Sequence, residues 1–289
     1  LSAVANDPVE KKPLYHFCPG EKVLSIGSYG CNFSCSFCQN HEISQTGIPG
    51  EAFCQKVKPE EVIALARLHK SIGVAFTYNE PVTQAEYVLD TAALSRQYDL
   101  SNVMVTNGYV SEKALSTLLP LMDAFNVDLK SVQDAFYKKM TGGRIQPVLD
   151  TLKTIYRAGC HLEITFLIVT GENDSEEEIR ALAQWIAKHL GSEVPLHLSR
   201  YFPRYRSIAP ATPEVILKNL YGIASGILEF VYTGNMDSGV TDTLCPGCGH
   251  KLIVRRGYSS CICGLDAKGY CLRCGRKGYF RLKETSPVS

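Results

Sequence analysis

Strand-like and helix-like segments alternate from residue 22 to about residue 234, and that repeating unit confines the chain to a parallel sheet covered by helices. Apolar or β-branched runs fall at 23–28, 74–78, 103–106, 124–129, 162–169, 196–199 and 228–232. Between them lie helical patterns. Pro59-Glu60-Glu61 opens the first with proline and acids in its initial turn. The others span 82–98, 111–119, 148–158, 175–190 and 213–225, with Ser111 and Asp174-Ser175 as caps. Six or seven such units predict a barrel, open rather than closed, although a flat doubly wound sheet obeys the same rules. A length of 289 residues fits one such domain and a small appendage.

In a barrel of this kind, function collects at the C-terminal ends of the strands. The first strand leads into Cys31-Asn-Phe-Ser-Cys35-Ser-Phe-Cys38, three thiols spaced CxxxCxxC. The second ends in Tyr78-Asn79-Glu80-Pro81, the third in Thr106-Asn107-Gly108 and the fourth in Asp128-Leu129-Lys130. The fifth carries Glu163 and the sixth carries His197 and leads to Arg200. Asp128 and Lys130 are two apart, so both are expected to face the lumen. A solvated ion pair, a satisfied core histidine at 197 and a plain glycine turn at 106–108 are the alternatives at single positions. Polar residues at one edge of every unit are harder to explain as packing. The run Glu176-Glu177-Glu178 is read as an exposed first helical turn favoured by the helix dipole.

Three thiolates can hold a [4Fe–4S] cluster, whose closed form uses four. The nearest further cysteines, Cys18 and Cys54, stand 13 residues before and 16 after the group. An iron left open is a site for chemistry. A partial zinc site, with His41 following, and buried apolar thiols are the other readings. Phe33 and Phe37 inside the loop favour a shielded cluster.

Twelve cysteines in a chain this long, seven of them in tight groups, indicate metal binding in a reducing cytoplasm rather than a disulfide scaffold. No apolar run approaches the roughly 18 residues of a membrane span, and no signal-peptide pattern opens the chain. The net charge of +1 hides an asymmetry: residues 245–289 hold nine Lys/Arg against Asp266 and Glu284. In that tail, Cys245-x2-Cys248 and Cys271-x2-Cys274 form a four-cysteine ribbon pattern, with Gly249 and Gly275 placed to favour N–H donation to sulfur. Zinc is the first reading. A second iron–sulfur cluster is the alternative, because Cys261 and Cys263 add two thiols. The basic residues Arg255, Arg256, Arg273, Arg276 and Lys277, with Tyr258 and Tyr279, suit a nucleic-acid surface or an acidic protein partner, and no base-reading motif is present.

The motifs together resemble the radical S-adenosylmethionine (SAM) enzymes of the AmmeMemoRadiSam system, relatives of the pyruvate formate-lyase activating enzymes. Asp7–Phe17, the cysteine loop through Asn40, Phe76–Pro81, Val105–Tyr109, Asn126–Lys130 and Cys245–Gly249 carry the resemblance across nearly the whole chain. It implies a partial (β/α)6 barrel at 22–240, an N-terminal arm at 1–21 and a zinc-ribbon-like module at 241–289. It also implies that Cys31, Cys35 and Cys38 hold a [4Fe–4S] cluster that cleaves SAM reductively to a 5′-deoxyadenosyl radical, which abstracts hydrogen from a substrate. Asn79-Glu80-Pro81 stands where the superfamily has a Gly-Gly-Glu stretch at the SAM amino group, with Tyr78 and Asn79 replacing the glycines. Asn107, Asp128 and Lys130 resemble groups placed around ribose and carboxylate, and His197 a residue against adenine; Glu163 and Arg200 complete the expected SAM-binding set. The implied partners are a small electron donor such as flavodoxin or ferredoxin, and MEMO-like and AMMECR-type proteins. Glycyl-radical activation is the alternative activity, and a non-enzymatic metal or nucleic-acid-binding module is the alternative class. Relatives carry a further cysteine-containing segment ahead of the Asp7 stretch, so a chain starting at Leu1 is expected to be trimmed or a short variant.

Overall fold

The computed structural model describes residues 1–47, 56–236 and 239–283. Eight strands form one sheet in sequence order: β1 (Ala3–Pro8), β2 (Lys22–Gly27), β3 (Gly73–Phe76), β4 (Ser101–Thr106), β5 (Ala124–Asp128), β6 (His161–Ile168), β7 (Leu196–Arg200) and β8 (Val231–Gly234). From β2 to β8 every pair is parallel, and the sheet is not closed into a barrel. Helices Pro59–Leu68, Ala85–Gln97, Glu112–Leu118, Ile145–Arg157, Glu176–His189 and Glu214–Ser225 occupy the six crossovers, as the alternating pattern predicts.

The strands are apolar on both faces because helices cover one side and the lumen the other. Val23, Leu24, Ile26, Val74, Phe76, Phe125, Val127, Ile164, Phe166 and Leu198 are all buried. Ser175 caps its helix by accepting from the Glu178 N–H, a contact worth about 1 kcal/mol. Glu178 departs from the exposed acidic turn expected there. It is buried and accepts from Ser131 Oγ, Val132 N and Gln133 Nε2, so it fastens the segment after β5.

Two further departures concern the ends of the chain. Residues 3–8 of the expected arm form an antiparallel edge strand against β2, with Asp7 opposite Val23. The last apolar run, placed at 228–232 by sequence, becomes a strand only at Val231, with Leu228 and Phe230 buried ahead of it. The tail forms a three-stranded antiparallel sheet of β9 (Thr243–Leu244), β10 (Lys251–Arg256) and β11 (Ser259–Ile262).

That tail is fastened to the N-terminal ends of the barrel strands. Phe17 bridges to Arg281, the Arg281 N–H donates to His16 O, and the Tyr279 hydroxyl accepts from Leu162 N. Arg255, only 1% exposed, reaches from β10 to donate to Tyr15 O and Thr243 Oγ1, and its guanidinium lies 4.3 Å from the Tyr15 ring centroid. Arm and tail together make a floor for the barrel.

Candidate active site

At the opposite end, the C-terminal ends of the strands surround a cavity of about 340 Å3, within the usual range for small-ligand sites. Cys31, Cys35, Cys38, Asn79, Glu80, Asn107, Asp128 and Lys130 all line it. Sequence reasoning missed several other lining residues: Lys11, Lys12, Thr165, Leu167, Ser199 and Asn235. Thr165 and Leu167 share the strand face of Glu163, so period-two reading could have found them. The two lysines come from the arm, where only the Asp7–Phe17 resemblance pointed.

The cysteine loop is held from several sides. Its Ser34 and Ser36 N–H groups donate to Thr141 O and Met140 O. Phe33 and Phe37 are buried beneath it, and Gly143 has no room for a side chain because a Cβ would sit 2.3 Å from the Phe33 ring. Asn79 ties β3 to the start of the loop: Oδ1 accepts from Ser28 N, and Nδ2 donates to Ser28 Oγ and Gly30 O. Tyr78 adopts φ +75°, a conformation that favours glycine, and its hydroxyl donates to Asp7. Strain of this kind costs about 1–3 kcal/mol.

Polar groups lie against two of the thiols. The Phe33 N–H lies 3.4 Å from Cys31 Sγ, Asn107 Nδ2 lies 3.7 Å from the same sulfur, and Ser44 Oγ lies 3.0 Å from Cys38 Sγ. Burial pushes the Cys35 thiol up to about 12 and raises Cys31 as well, against the nearby Lys130 charge, which favours their thiolate forms. Among the described residues no fourth thiol lines the cavity. Cys18 and Cys160 line a separate groove at the floor end, and Cys54 lies outside the described residues. Three thiols lining one cavity, with polar groups at two of the sulfurs and open space beside them, fit a three-cysteine [4Fe–4S] site.

Glu80 is buried, and burial raises it to about 7 against the hydrogen bonds it accepts from Asn107 N, Val82 N and Thr106 Oγ1. It therefore shapes the Asn107 turn as well as facing the cavity. Lys130 Nζ lies 3.0 Å from Asp128 Oδ2. Burial works against the Lys130 charge, yet Asp128 beside it holds its pKa above the ordinary lysine value.

Glu163, His197 and Arg200 are placed elsewhere than the expected SAM-binding set. Glu163 is fully buried at the floor, accepting from Tyr15 N, His16 N, His161 Nε2 and His197 Nε2 at 2.7–3.0 Å. Burial alone would raise its pKa, but the two histidine rings hold it well below the usual carboxylate range. His197 is beside Thr165 in register, but its ring turns down to Glu163 and packs on Tyr15 and Tyr232. Arg200 pairs with Glu214 and donates to Thr212 O outside the cavity.

In the tail, the sulfurs of Cys245, Cys248, Cys271 and Cys274 lie within 4.8 Å of one another. Cys245 and Cys274 are 3.5 Å apart, and Cys248 and Cys271 are 3.8 Å apart. One tetrahedral ion with metal–sulfur bonds of about 2.3 Å holds its sulfurs about 3.8 Å apart. Gly249 and Gly275 take positive φ, but their N–H groups donate to the Cys245 and Cys271 carbonyls rather than to sulfur. Cys261 and Cys263 are exposed and outside this group. Among the described residues no helix is long and apolar enough to cross a membrane.

A family model described as the Radical SAM superfamily matches residues 25–186. Uncharacterized protein MJ0808 of Methanocaldococcus jannaschii is 38% identical over 281 residues, covering 96% of this chain and 83% of that protein. The pyruvate formate-lyase-activating enzyme of Clostridium pasteurianum is 28% identical over 158 residues, covering 54% of this chain and 66% of the enzyme. Among solved structures, Streptococcus suis SuiB bound to S-adenosylmethionine matches in fold with a TM-score of 0.59 at 13% identity. That match covers 74% of this chain and 52% of SuiB.

Proposed function

The chain belongs to the Radical SAM superfamily, and from that premise we propose that it cleaves SAM reductively at the strand-end cavity and directs the product of that cleavage onto a substrate bound beside it. The observation that carries this reading is the gathering of Cys31, Cys35 and Cys38 with polar groups from three successive strand ends around one cavity. Cluster and SAM, when bound, supply one-electron cleavage of the sulfonium and hydrogen abstraction from the substrate.

The protein's own share is placement. Cys31, Cys35 and Cys38 ligate, while Phe33 and Phe37 keep water from the loop's inner side. Asn79 fixes the loop to β3, and Glu80 fixes the turn that aims Asn107 at Cys31. Asp128 and Lys130 offer one acceptor and one cation on the facing wall, suited to the hydroxyls and carboxylate of SAM. Lys11 and Lys12 close the arm side, and Thr165, Leu167, Ser199 and Asn235 leave a mixed polar and apolar wall for substrate.

Similarity to the Clostridium pasteurianum activating enzyme favours a second reading, activation of a glycyl-radical enzyme. The motif resemblance alone supports instead an AmmeMemoRadiSam enzyme with MEMO-like and AMMECR-type proteins as partners. A small redox protein is the proposed electron donor, and zinc the proposed tail ion because the sulfurs stand at single-ion distances.

Anaerobic reconstitution with iron and sulfide, followed by dithionite and SAM, tests the reading through 5′-deoxyadenosine measured by chromatography. Product from the wild type and none from a Cys31→Ala/Cys35→Ala/Cys38→Ala variant is expected. Product from both, or an intact cluster with no SAM turnover under any reductant, contradicts it. Deuterium carried into 5′-deoxyadenosine from a labelled partner glycine would single out the activase reading.

A further inference from the structure

We propose that the loop at residues 201–212 is the docking surface for an acidic one-electron carrier protein, through which the cluster site is reduced. This rests on reading Cys31, Cys35 and Cys38 as that site.

The loop leaves β7 and returns to the helix Glu214–Ser225. Its ends are pinned together: the Tyr201 N–H donates to Thr212 Oγ1 and the Thr212 N–H to Tyr201 O, both at 3.1 Å. The Tyr201 hydroxyl, buried beneath, donates to Ser207 Oγ at 2.9 Å. A closed, internally bonded loop presents a fixed surface. Its inner side rests directly on the cysteine segment. The Arg206 N–H donates to Ser36 O, between Cys35 and Cys38; Gln39, next to Cys38, donates to Phe202 O; and the Tyr205 ring stacks on His41 at 4.7 Å.

Among the described residues its outer side makes only ring contacts, Arg206 over Tyr205 at 4.9 Å and Arg200 over Phe202 at 4.8 Å. Ile208 is 97% exposed and Phe202 is 44% exposed. Arg204 and Arg206 are exposed, and among the described residues neither guanidinium pairs with a carboxylate. Arg200, one turn of chain earlier, is by contrast satisfied by Glu214. Unpaired guanidinium groups beside exposed apolar side chains form the core and rim of a modest docking patch for an acidic surface.

Position selects the kind of partner. Electron transfer weakens steeply with distance, and this loop covers the outside of the segment carrying Cys35 and Cys38. The cavity side belongs to SAM and substrate, and the floor is filled by arm and tail. In the transfer, one electron leaves the reduced carrier, which is oxidised by one. The cluster is reduced by one, and no bond forms or breaks.

The test uses the reconstituted full chain and a reduced bacterial flavodoxin as probe. Calorimetric Kd at low and high salt and the rate of cluster reduction by flavodoxin are compared for wild type and Arg204→Glu/Arg206→Glu. Binding and reduction rate are each expected to fall roughly tenfold or more, and wild-type binding to weaken with salt. Dithionite-driven 5′-deoxyadenosine formation is expected to stay unchanged, because a small reductant needs no docking. Arg204→Gln/Arg206→Gln, which removes charge without reversing it, should show a smaller loss in the same direction. No flavodoxin binding by the wild type at low salt, or equal binding and reduction by the charge-reversed variant, overturns the proposal. Should dithionite and SAM yield nothing in the wild type, the activity reading fails while the Kd comparison still decides the docking surface.

Discussion

The chain has two cysteine sites, and they differ in how much of a metal's coordination they complete. In the tail, four sulfurs converge to single-ion distances and enclose whatever they bind. At the strand ends three thiols face a cavity of about 340 Å3, and the space beside them is lined by polar groups rather than by a fourth sulfur. A completed coordination shell stabilises a fold, whereas an incomplete one leaves room for a reactant. The surroundings agree. The closed site belongs to a module that plugs the floor through Arg255 and Tyr279, and the open one lies where polar groups of successive strands meet.

Substituting the open site should have the largest effect. The triple Cys31/Cys35/Cys38→Ala variant is expected to lose all iron and sulfide of the strand-end site while keeping the tail ion, as read by elemental analysis and labile-sulfide assay. If the tail ion were lost along with the iron, the two sites would not be independent.

The complementary change, Cys248→Ser/Cys271→Ser, should release the tail ion and lower stability by roughly 5 kcal/mol, less than the roughly 10–16 kcal/mol of an isolated zinc-finger peptide because the barrel still offers a docking face. Hydrogen exchange should then rise at residues 15–17 and 279–281, with cluster assembly retained. Exchange unchanged at the floor would mean that the ribbon's fastening does not depend on its metal.

Glu163→Gln probes the floor without touching either metal site. Removing one partner of a buried charged network costs about 3–5 kcal/mol. The sign of its pH dependence follows from its environment. Glu163 has a folded pKa well below 4.5, so its stabilisation is present above 4.5 and lost as pH falls below that value. Burial lowers His16 from 6.5 to about 3, so the folded state resists the proton that the unfolded chain accepts, and stability already declines as pH falls below 6.5. Wild-type denaturation midpoints should therefore drop on acidification, and the variant should lose the portion below 4.5. A variant curve parallel to wild type down to pH 3 would contradict this assignment.

The smallest expected effect sharpens the open site. Gly143→Ala puts a methyl group against Phe33, and relieving the overlap should cost about 1–3 kcal/mol and reduce cluster yield without abolishing it. Unchanged yield would show that the loop does not depend on that close packing.

Much of this was legible in the sequence because parallel strands buried on both faces read as plain apolar runs, and helices declare their first turns. The edge strand Ala3–Pro8 was not, since one face is open and Asn6, Asp7 and Pro8 break the pattern. At the site, residue type and inward direction were readable, but depth was not. Glu163 and Thr165 point the same way, yet two residues of strand separate them by about 6.6 Å, enough to put one in the floor and the other in the cavity. His197 turns down to share the Glu163 carboxylate with Tyr15 N, His16 N and His161. Arg255 looked like surface dressing because nothing in its own strand shows the Tyr15 carbonyl and ring that receive it. The Cys31–Cys38 loop needed no such depth information, since its short spacing alone keeps three thiols in one segment.

Electron paramagnetic resonance of the dithionite-reduced, reconstituted protein, recorded with and without SAM, addresses the open coordination position most directly. A [4Fe–4S] signal whose g-values shift when SAM is added, and which is absent from the triple alanine variant, is the predicted result. A signal that SAM leaves unchanged, or one that survives loss of Cys31, Cys35 and Cys38, would contradict the account.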